Sequence, residues 1–257
     1  MAAPLERRTS AQVPLPNALK SASFDVLGTC FDFENAITVI ESRLGKPIAA
    51  AGATSKAIFF GWFFAAQRDF TYTSLVGRYT PIAKVLSSTF RRACAVCDVP
   101  MSAISDEDVA AVMAEVKKLE PRKGLKKCYD GLREAGWDVY GVTNGGKETS
   151  LNYYKLANIE LDVEHLLSCD EIQVAKPDPR VYETTNSHLT ARGLGRDGDG
   201  SRWFVAAHAW DLIAARKAGF KTAYLTFEEH DPVTDVFGEF DMYADSMEEL
   251  LEKMKAL

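Results

Sequence analysis

Short apolar runs that alternate with helical patterns organise most of the chain. The first run, Phe24-Asp25-Val26-Leu27, is apolar on both sides of Asp25 and leads into a turn at Gly28, which predicts a strand buried on both faces. Similar runs predict further strands at residues 137–142, 163–168, 203–207 and 221–226. Helical spacing predicts helices at residues 123–135, 150–157, 179–190, 211–218 and 246–254. Repeated β-then-α units predict an α/β fold, with a mostly parallel sheet and helices on both faces.

Residues 34–121 have a different pattern, helix upon helix without strand-turn-helix units. Residues 34–44 have helical spacing, and Gly45 and Pro47 are expected to end that helix. Aromatic residues are frequent in the following stretch, residues 58–70. We expect them to form the core of a helical bundle, to cover a pocket above Asp25, or to do both.

The helical segment directly follows the first strand in the sequence. An insertion at that point would lie above the carboxyl end of the strand, where it could act as a lid over an active site. We therefore expect an N-terminal extension at residues 1–20, an α/β core formed by residues 21–33 and 122–257, and a helical cap at residues 34–121.

Composition and charge argue against some classes of function, including nucleic-acid binding and membrane insertion. The 257 residues carry a formal net charge of −6 without a cluster of Lys and Arg, which argues against nucleic acid as a partner. No apolar run reaches the roughly 18 to 20 residues of a membrane helix, so we expect a soluble protein without a membrane partner. The 5 cysteines are odd in number and favour reduced thiols and a cytoplasmic location. A Cys94-x-x-Cys97 redox pair is a weak alternative, because it lies in a predicted helix without a preceding strand.

Polar side chains follow several predicted strands at the point where each strand ends. Asp25 ends the first strand, Thr143 and Asn144 follow the strand at residues 137–142, and His208 to Asp211 follow a later strand. Lys176 precedes a helix in the run Ala175-Lys176-Pro177-Asp178-Pro179. Because ligands gather at the carboxyl ends of strands in open α/β sheets, this pattern predicts a pocket with Asp25 at its floor.

The order of these groups resembles that of the haloacid dehalogenase superfamily over residues 23–225. The runs Phe-Asp-x-x-Gly-Thr, Lys-Pro-Asp-Pro-x-x-Tyr and Ala-Trp-Asp are similar to those of the type II 2-haloacid dehalogenases. The resemblance implies a Rossmann-like core with an inserted helical cap, and it makes Asp25 the nucleophile that becomes an ester. It also implies that Lys176 lies beside the nucleophile, and that Asp211 holds this lysine and helps to prepare water.

The resemblance further implies that Thr29 and Asn144 orient the carboxylate and the substrate, and that Tyr182 belongs to the pocket. Neighbours of these motifs also belong to the predicted substrate-binding set, namely Leu27, Cys30, Thr143 and Trp210, and so do Trp62, Phe63 and Arg68 of the aromatic stretch. The chemistry agrees with these roles, since a desolvated carboxylate is a competent nucleophile and a nearby ammonium keeps it ionised. Asp211 would keep Lys176 from being a lone buried cation.

Leu27 separates the chain from the phosphatases of the same superfamily. Those enzymes carry a second aspartate two residues after the nucleophile, which protonates a departing alkoxide, whereas halide needs no acid. Ala207 occupies a place where the phosphatases have a metal-binding acid, so too few oxygen ligands remain for Mg²⁺. We therefore expect neither a metal nor another cofactor.

Two departures from the dehalogenase pattern affect the pocket. Where those enzymes place a cap arginine that receives the halide, this chain has Trp62 and Phe63, and Arg68 is the nearest arginine. Either Arg68 substitutes from the next helical turn, or the pocket binds halide poorly. In place of an asparagine the chain has His208, which is either a general base for water or a hydrogen-bonded structural histidine.

The expected function is metal-independent hydrolysis that displaces a leaving group, halide in the family, from C2 of a small carboxylic acid through an Asp25 ester. The alternatives are a hydrolase that opens a strained ring, a Mg²⁺-dependent phosphatase, and a non-catalytic binding protein on the same fold. Relatives are often dimers, and no sequence feature decides for or against a homodimer.

Overall fold

A computed structural model describes residues 20–195 and 198–257. The predicted extension at residues 1–20 lies outside the described residues except for Lys20. The strands of the described part are β1 (Lys20–Asp25), β2 (Phe31–Asp32), β3 (Glu120–Pro121), β4 (Trp137–Thr143), β5 (Leu166–Ser168), β6 (Arg202–Ala206), β7 (Lys221–Leu225) and β8 (Met242–Ala244). The helices are α1 (Glu34–Ala50), α2 (Ser55–Leu75), α3 (Ile82–Val96), α4 (Asp106–Val116), α5 (Leu125–Glu134), α6 (Lys147–Leu156), α7 (Cys169–Ile172), α8 (Pro179–Ala191), α9 (Ala209–Lys217), α10 (Thr234–Phe237) and α11 (Met247–Lys255).

Six strands form one parallel sheet in the order β5-β4-β1-β6-β7-β8. The predicted α/β fold with a mostly parallel sheet is therefore confirmed. β1 is central, with Phe24 opposite Gly141 on one side and Val205 on the other. The carboxyl ends of β1, β4, β6 and β7 consequently meet at one edge, which positions the site.

The sheet is buried on both faces because its strands carry apolar side chains in both directions. Successive residues of β4, Val139 and Tyr140, belong to two different hydrophobic cores. On one face Phe24 and Val205 share a core with α5 and α11, and on the other Phe204 packs with residues of α8 and α9. Burial on both faces explains why the sequences of the strands are nearly continuous apolar runs.

Helices α1–α4 follow β2 in the sequence, and the short antiparallel pair of β2 and β3 brackets them. The prediction that Gly45 and Pro47 end α1 is wrong, because the helix continues to Ala50. Leu44 and Ile48 are buried on one face of this helix, and their burial outweighs the hydrogen bond that Pro47 cannot donate. The division of the chain into core and cap stays a prediction.

No single helix among the described residues is long and apolar enough to cross a membrane. In the part of the chain that the structure describes, only α1 and α2 taken together reach the required length and composition, and they meet at a bend of 100°.

Candidate active site

The carboxylate of Asp25, the last residue of β1, lies at the centre of the site and is almost fully buried. The Thr29 hydroxyl donates to Oδ2 of Asp25 at 2.6 Å, and Nδ1 of His208 lies 3.1 Å from the same oxygen. Thr29 in turn accepts a hydrogen bond from the backbone N–H of Ala207 at 2.9 Å. Because that bond occupies the oxygen side of the Thr29 hydroxyl, the hydroxyl hydrogen is left to point at Asp25.

Gly28 shapes the turn that follows Asp25. Its φ of +83° lies in the left-handed region that favours glycine. A Cβ atom at this position would lie 2.8 Å from Oε1 of Glu228 and 3.0 Å from Cε1 of His208. Glycine therefore allows both side chains to approach the turn.

Lys176 joins two carboxylates. Its Nζ lies 2.9 Å from Oδ1 of Asp25 and 2.7 Å from Oδ2 of Asp211. The Tyr182 hydroxyl donates to the other oxygen of Asp211. All of these side chains are buried, and with Thr29 and His208 on Oδ2 of Asp25, both oxygens of each carboxylate have partners that replace water.

The charges of this cluster fix its protonation. Burial would raise the pKa of the Asp25 carboxyl, but the charge of Lys176, the hydrogen bond and charge of His208 and the hydrogen bond of Thr29 hold that pKa well below its ordinary value. Burial would lower the pKa of the Lys176 ammonium, but the charges of Asp211 and Asp25 raise it above its ordinary value. Asp25 is therefore an ionised carboxylate beside a charged lysine at neutral pH.

The turn after β4 and helix α2 hold the backbone of Lys176 in place. Its backbone N–H donates to Oδ1 of Asn144 at 3.0 Å, and its carbonyl accepts from the Thr71 hydroxyl at 3.0 Å. Thr143 accepts from the backbone N–H of Gly145, which fixes the turn after β4. Asn144 and Thr143 are thus brought to the site, where their contacts support the lysine loop.

His208 immediately precedes α9, and its ring stacks on that of Trp210 with centroids 5.4 Å apart. Burial would lower the pKa of His208, but the hydrogen bond and charge of Asp25, with the charges of Glu228 and Glu229, raise it to about 9. The ring is therefore charged at neutral pH while Asp25 is ionised.

Glu228 was not among the residues that sequence reasoning selected. It lies just beyond the end of β7, its side chain is buried, and its Oε1 is 3.9 Å from Nε2 of His208. Its Oε2 pairs with Arg122, which also donates to the carbonyl of Gly28 at 2.8 Å. The only sequence signal is an acidic pair, Glu228-Glu229, directly after an apolar strand.

A cavity of about 870 Å³ adjoins this cluster. Its wall includes Pro177, which follows Lys176, and Trp210, which stacks on His208. Arg68 lines it too, but its guanidinium pairs with Asp69 at 2.9 Å and its side chain is 55% exposed. The other lining side chains are mostly aromatic or charged, namely Phe33, Phe60, Phe64, Tyr72, Phe227, Lys56, Arg122, Asp32, Glu34, Glu228 and Glu229.

Trp62 and Phe63 do not line this cavity, which corrects their predicted place at the substrate. Trp62 donates from Nε1 to the carbonyl of Leu86 at 3.1 Å and packs edge-on against Phe90 in α3. Phe63 is buried against Phe33, with ring centroids 4.5 Å apart. Aromatic residues lie on all sides of α2, so its sequence alone does not tell which side faces the pocket.

Leu27 and Cys30 lie in the turn beside Asp25 and are buried. The Cys30 thiol contacts the backbone carbonyl of Asp25 at 3.1 Å, and burial raises its pKa to about 12. Cys30 is therefore a neutral, supporting residue at neutral pH. Cys94 is likewise buried and neutral, since burial raises its pKa to about 11, which does not favour a redox pair with Cys97.

Within residues 20–195 and 198–257, no group of three or more His, Cys, Asp and Glu side chains is arranged to hold a metal ion. The Lys176 ammonium bonds both Asp25 and Asp211, the acids that a bridging cation would use. The expected absence of a metal stays a prediction.

Comparisons with known proteins agree with this arrangement. A family model described as haloacid dehalogenase-like hydrolase matches residues 19–219. The (S)-2-haloacid dehalogenase of Pseudomonas sp. (strain YL) is 27% identical over 225 residues, which cover 84% of this chain and 89% of that enzyme.

Solved structures match the fold. An L-2-haloacid dehalogenase gives a TM-score of 0.77 at 23% identity, covering 93% of this chain and 100% of that one. The L-2-haloacid dehalogenase from Xanthobacter autotrophicus with chloropropionic acid covalently bound gives 0.73 at 16% identity, covering 93% and 99% of the two chains.

Proposed function

The chain belongs to the haloacid dehalogenase-like hydrolases, and on that premise we propose that it displaces halide from C2 of a 2-halocarboxylic acid. In the proposed reaction an oxygen of Asp25 attacks C2, and the carbon–halogen bond breaks as the halide leaves with the bonding electrons. Water then attacks the carbonyl carbon of the Asp25 ester, which releases a 2-hydroxy acid and restores the carboxylate.

The observation that carries this proposal is the contact of Asp25 with Lys176 in a site almost closed to water. A carboxylate in water is a weak nucleophile because its hydration shell must be removed. Here burial removes that shell, while the lysine 2.9 Å away keeps the group ionised. The pair thus supplies a desolvated and charged nucleophile at neutral pH.

Leu27 supports halide over a phosphate ester as the substrate group. Its apolar side chain stands in the turn two residues after Asp25, so no acid at that position can protonate a departing alkoxide. Halide is stable as an anion and leaves without a proton.

Opening of a strained ring is the second candidate reaction, and the position of Arg68 favours it. Its guanidinium is paired with Asp69 and half exposed, so it is not free to receive a halide. In a ring opening the C–O bond to the attacked carbon breaks, and the oxygen stays attached to the substrate as an alkoxide that takes a proton from solvent. Release of ring strain replaces assistance by an acid, and the reaction needs no separate anion site. Comparing 2-chloropropionate with oxirane-2-carboxylate as substrates distinguishes the two reactions.

The test of the proposed function is halide release from 2-chloropropionate by the wild type and by Asp25→Asn. We expect stoichiometric halide and 2-hydroxy acid from the wild type, unchanged by EDTA, and neither product from Asp25→Asn. An exposed aspartate, Asp162, provides the matched control Asp162→Asn, which should keep full activity. Halide release that EDTA abolishes, or that survives in Asp25→Asn, would contradict the proposal.

A cytoplasmic location is also a proposal, and no feature of the chain decides for or against a homodimer. The free state of all 5 cysteines supports a reducing compartment. Light scattering on the purified protein measures the assembly state directly.

A further inference from the structure

The two oxygens of the Asp25 carboxylate have different environments. Among the described residues, Oδ2 receives hydrogen bonds from Thr29 and His208, whereas Oδ1 receives one, from Lys176. Each carboxylate oxygen has about two lone pairs for such contacts. Oδ2 is therefore saturated, and Oδ1 keeps a lone pair for attack on carbon.

This difference fixes what each oxygen becomes in the ester. If Oδ1 forms the bond to C2, Oδ2 becomes the carbonyl oxygen of the ester. When water adds to the carbonyl carbon, the negative charge develops on Oδ2. The donors that face Oδ2 are then the donors that stabilise this charge.

From this geometry we infer that His208 and Thr29 form an oxyanion hole for breakdown of the Asp25 ester, and that Glu228 is the positioning residue that keeps His208 a donor. The inference rests on the proposed function and gives His208 a role that is neither general base nor purely structural.

A second residue orients each of the two donors. Thr29 accepts the backbone N–H of Ala207 at 2.9 Å, which turns its hydrogen to Oδ2. Nε2 of His208 faces Oε1 of Glu228 at 3.9 Å, and within the described residues neither atom has a hydrogen-bond partner. Both side chains are buried, so water does not weaken the attraction between them.

The position of Glu228 decides which hydrogen His208 carries. The charged ring has a hydrogen on both nitrogens, so Nδ1 donates to Oδ2. A neutral ring beside a carboxylate would keep its hydrogen on Nε2, which would turn a lone pair to Oδ2. Donation to the oxyanion therefore requires the charged ring.

The same geometry does not suit a general base. Nδ1 already points at Oδ2 of Asp25, and Nε2 points at Glu228 on the far side of the ring. Neither nitrogen is placed to accept a proton from water at the carbonyl carbon.

Bonds and protons balance in the resulting step. Water forms a bond to the carbonyl carbon, and the bond from that carbon to Oδ1 then breaks, so Oδ1 leaves as the product hydroxyl oxygen. Lys176, 2.9 Å from Oδ1, stabilises that leaving oxygen. One proton of the water ends on the product, and the other is released as Asp25 ionises again.

Charged groups around His208 set the pH at which it acts. Asp25 faces it from β1, and Glu228 and Glu229 face it from the segment after β7. Formation of the ester removes the charge of Asp25, so Glu228 and Glu229 are the remaining acids that hold the ring charged.

The test separates ester formation from ester breakdown in the full-length protein with 2-chloropropionate. Rapid-quench halide assays measure the rate of ester formation. The mass of the peptide that contains Asp25 measures the fraction of the enzyme present as the ester. The variants are His208→Ala and His208→Asn, because Nδ2 of asparagine occupies nearly the place of Nδ1 of histidine and donates but accepts no proton.

We expect His208→Ala to keep a burst of one halide per active site and to slow ester breakdown by about 10²–10³-fold, the usual effect of a lost oxyanion donor. His208→Asn should restore breakdown to within about tenfold of the wild type. Breakdown in the wild type should slow as pH rises through the alkaline range, and Glu228→Gln should move that decline to lower pH.

Equal loss in His208→Asn and His208→Ala, or breakdown that accelerates with pH, overturns the inference. The two results together would assign a general base. If no variant and no wild-type sample shows a halide burst or an ester on Asp25, the proposed function itself fails.

Discussion

The ammonium of Lys176 lies 2.9 Å from Oδ1 of Asp25, and both groups are almost sealed from solvent. Burying an ion pair costs desolvation free energy, which is offset only when the geometry is good and further hydrogen bonds are made. Asp211 supplies the second contact to the lysine at 2.7 Å. A buried pair at the end of the central strand is therefore more easily explained by chemistry at Asp25 than by stability.

Removing this cation should change the pH dependence of ester formation. In the wild type the pKa of Asp25 lies well below its ordinary value, so ester formation should stay constant as pH falls to about 4, the ordinary range of a carboxyl group. Lys176→Met removes the charge that does most to offset burial and leaves the contacts with His208 and Thr29, so the pKa of Asp25 should rise. The acid limb of the pH profile should then move to higher pH, and the rate of ester formation at neutral pH should fall.

Halide bursts across a pH series measure this limb, and circular dichroism checks the fold. Lys147→Met is the matched control, because that lysine pairs with Glu171 at the surface. An unchanged acid limb in Lys176→Met would show that the lysine does not govern the ionisation of Asp25.

Gly28→Ala tests the contact of the nucleophile turn with His208 and Glu228. The added Cβ would meet Glu228 at 2.8 Å and His208 at 3.0 Å, so one of them must move. We expect slower ester breakdown together with a loss of stability of about 1–2 kcal/mol from the left-handed backbone.

Gly52→Ala separates the two effects. Gly52 also has a positive φ, of +74°, but nothing lies within 4 Å of its added Cβ. Denaturant unfolding should show a loss of stability for both variants, larger for Gly28→Ala because a buried side chain must also move. Only Gly28→Ala should slow ester breakdown. Equal kinetics in the two variants would contradict the contact.

Phe63 and Phe64 are neighbours with different predicted roles. Phe63 is buried in a hydrophobic core, so Phe63→Ala should lower the free energy of unfolding by about 3–5 kcal/mol. Phe64 is 43% exposed and lines the cavity, so Phe64→Ala should change stability little and raise KM. Thermal unfolding and steady-state kinetics of both variants test these two roles. A raised KM in Phe63→Ala alone would show that Phe63, and not Phe64, lines the cavity.

Much of the fold could be predicted from the sequence because its strands are buried on both faces and flanked by turns. The parallel sheet and the place of Asp25 at the end of a strand follow from such local patterns. The contacts of Lys176 with Asp25 and Asp211 were expected from the family resemblance. Parallel strands bring their carboxyl ends together, so groups far apart in sequence converge.

Other features needed three-dimensional information. Aromatic residues surround α2, so no periodicity selects the face that reaches the cavity, and Trp62 and Phe63 were assigned to the wrong side. Pro47 is tolerated in α1 because packing outweighs propensity. Glu228 lies in an irregular segment without a motif, and it reaches His208 only because β7 is next to β6 in the sheet.

The most direct test of the central claim is a single turnover of 2-chloropropionate in ¹⁸O-labelled water with excess enzyme, followed by the mass of the peptide that contains Asp25. An ester on Asp25 predicts one ¹⁸O atom in that carboxylate and none in the hydroxyl of the first product molecule. A label in the product and an unlabelled Asp25 would show that water attacks C2 directly, and the covalent account would be wrong.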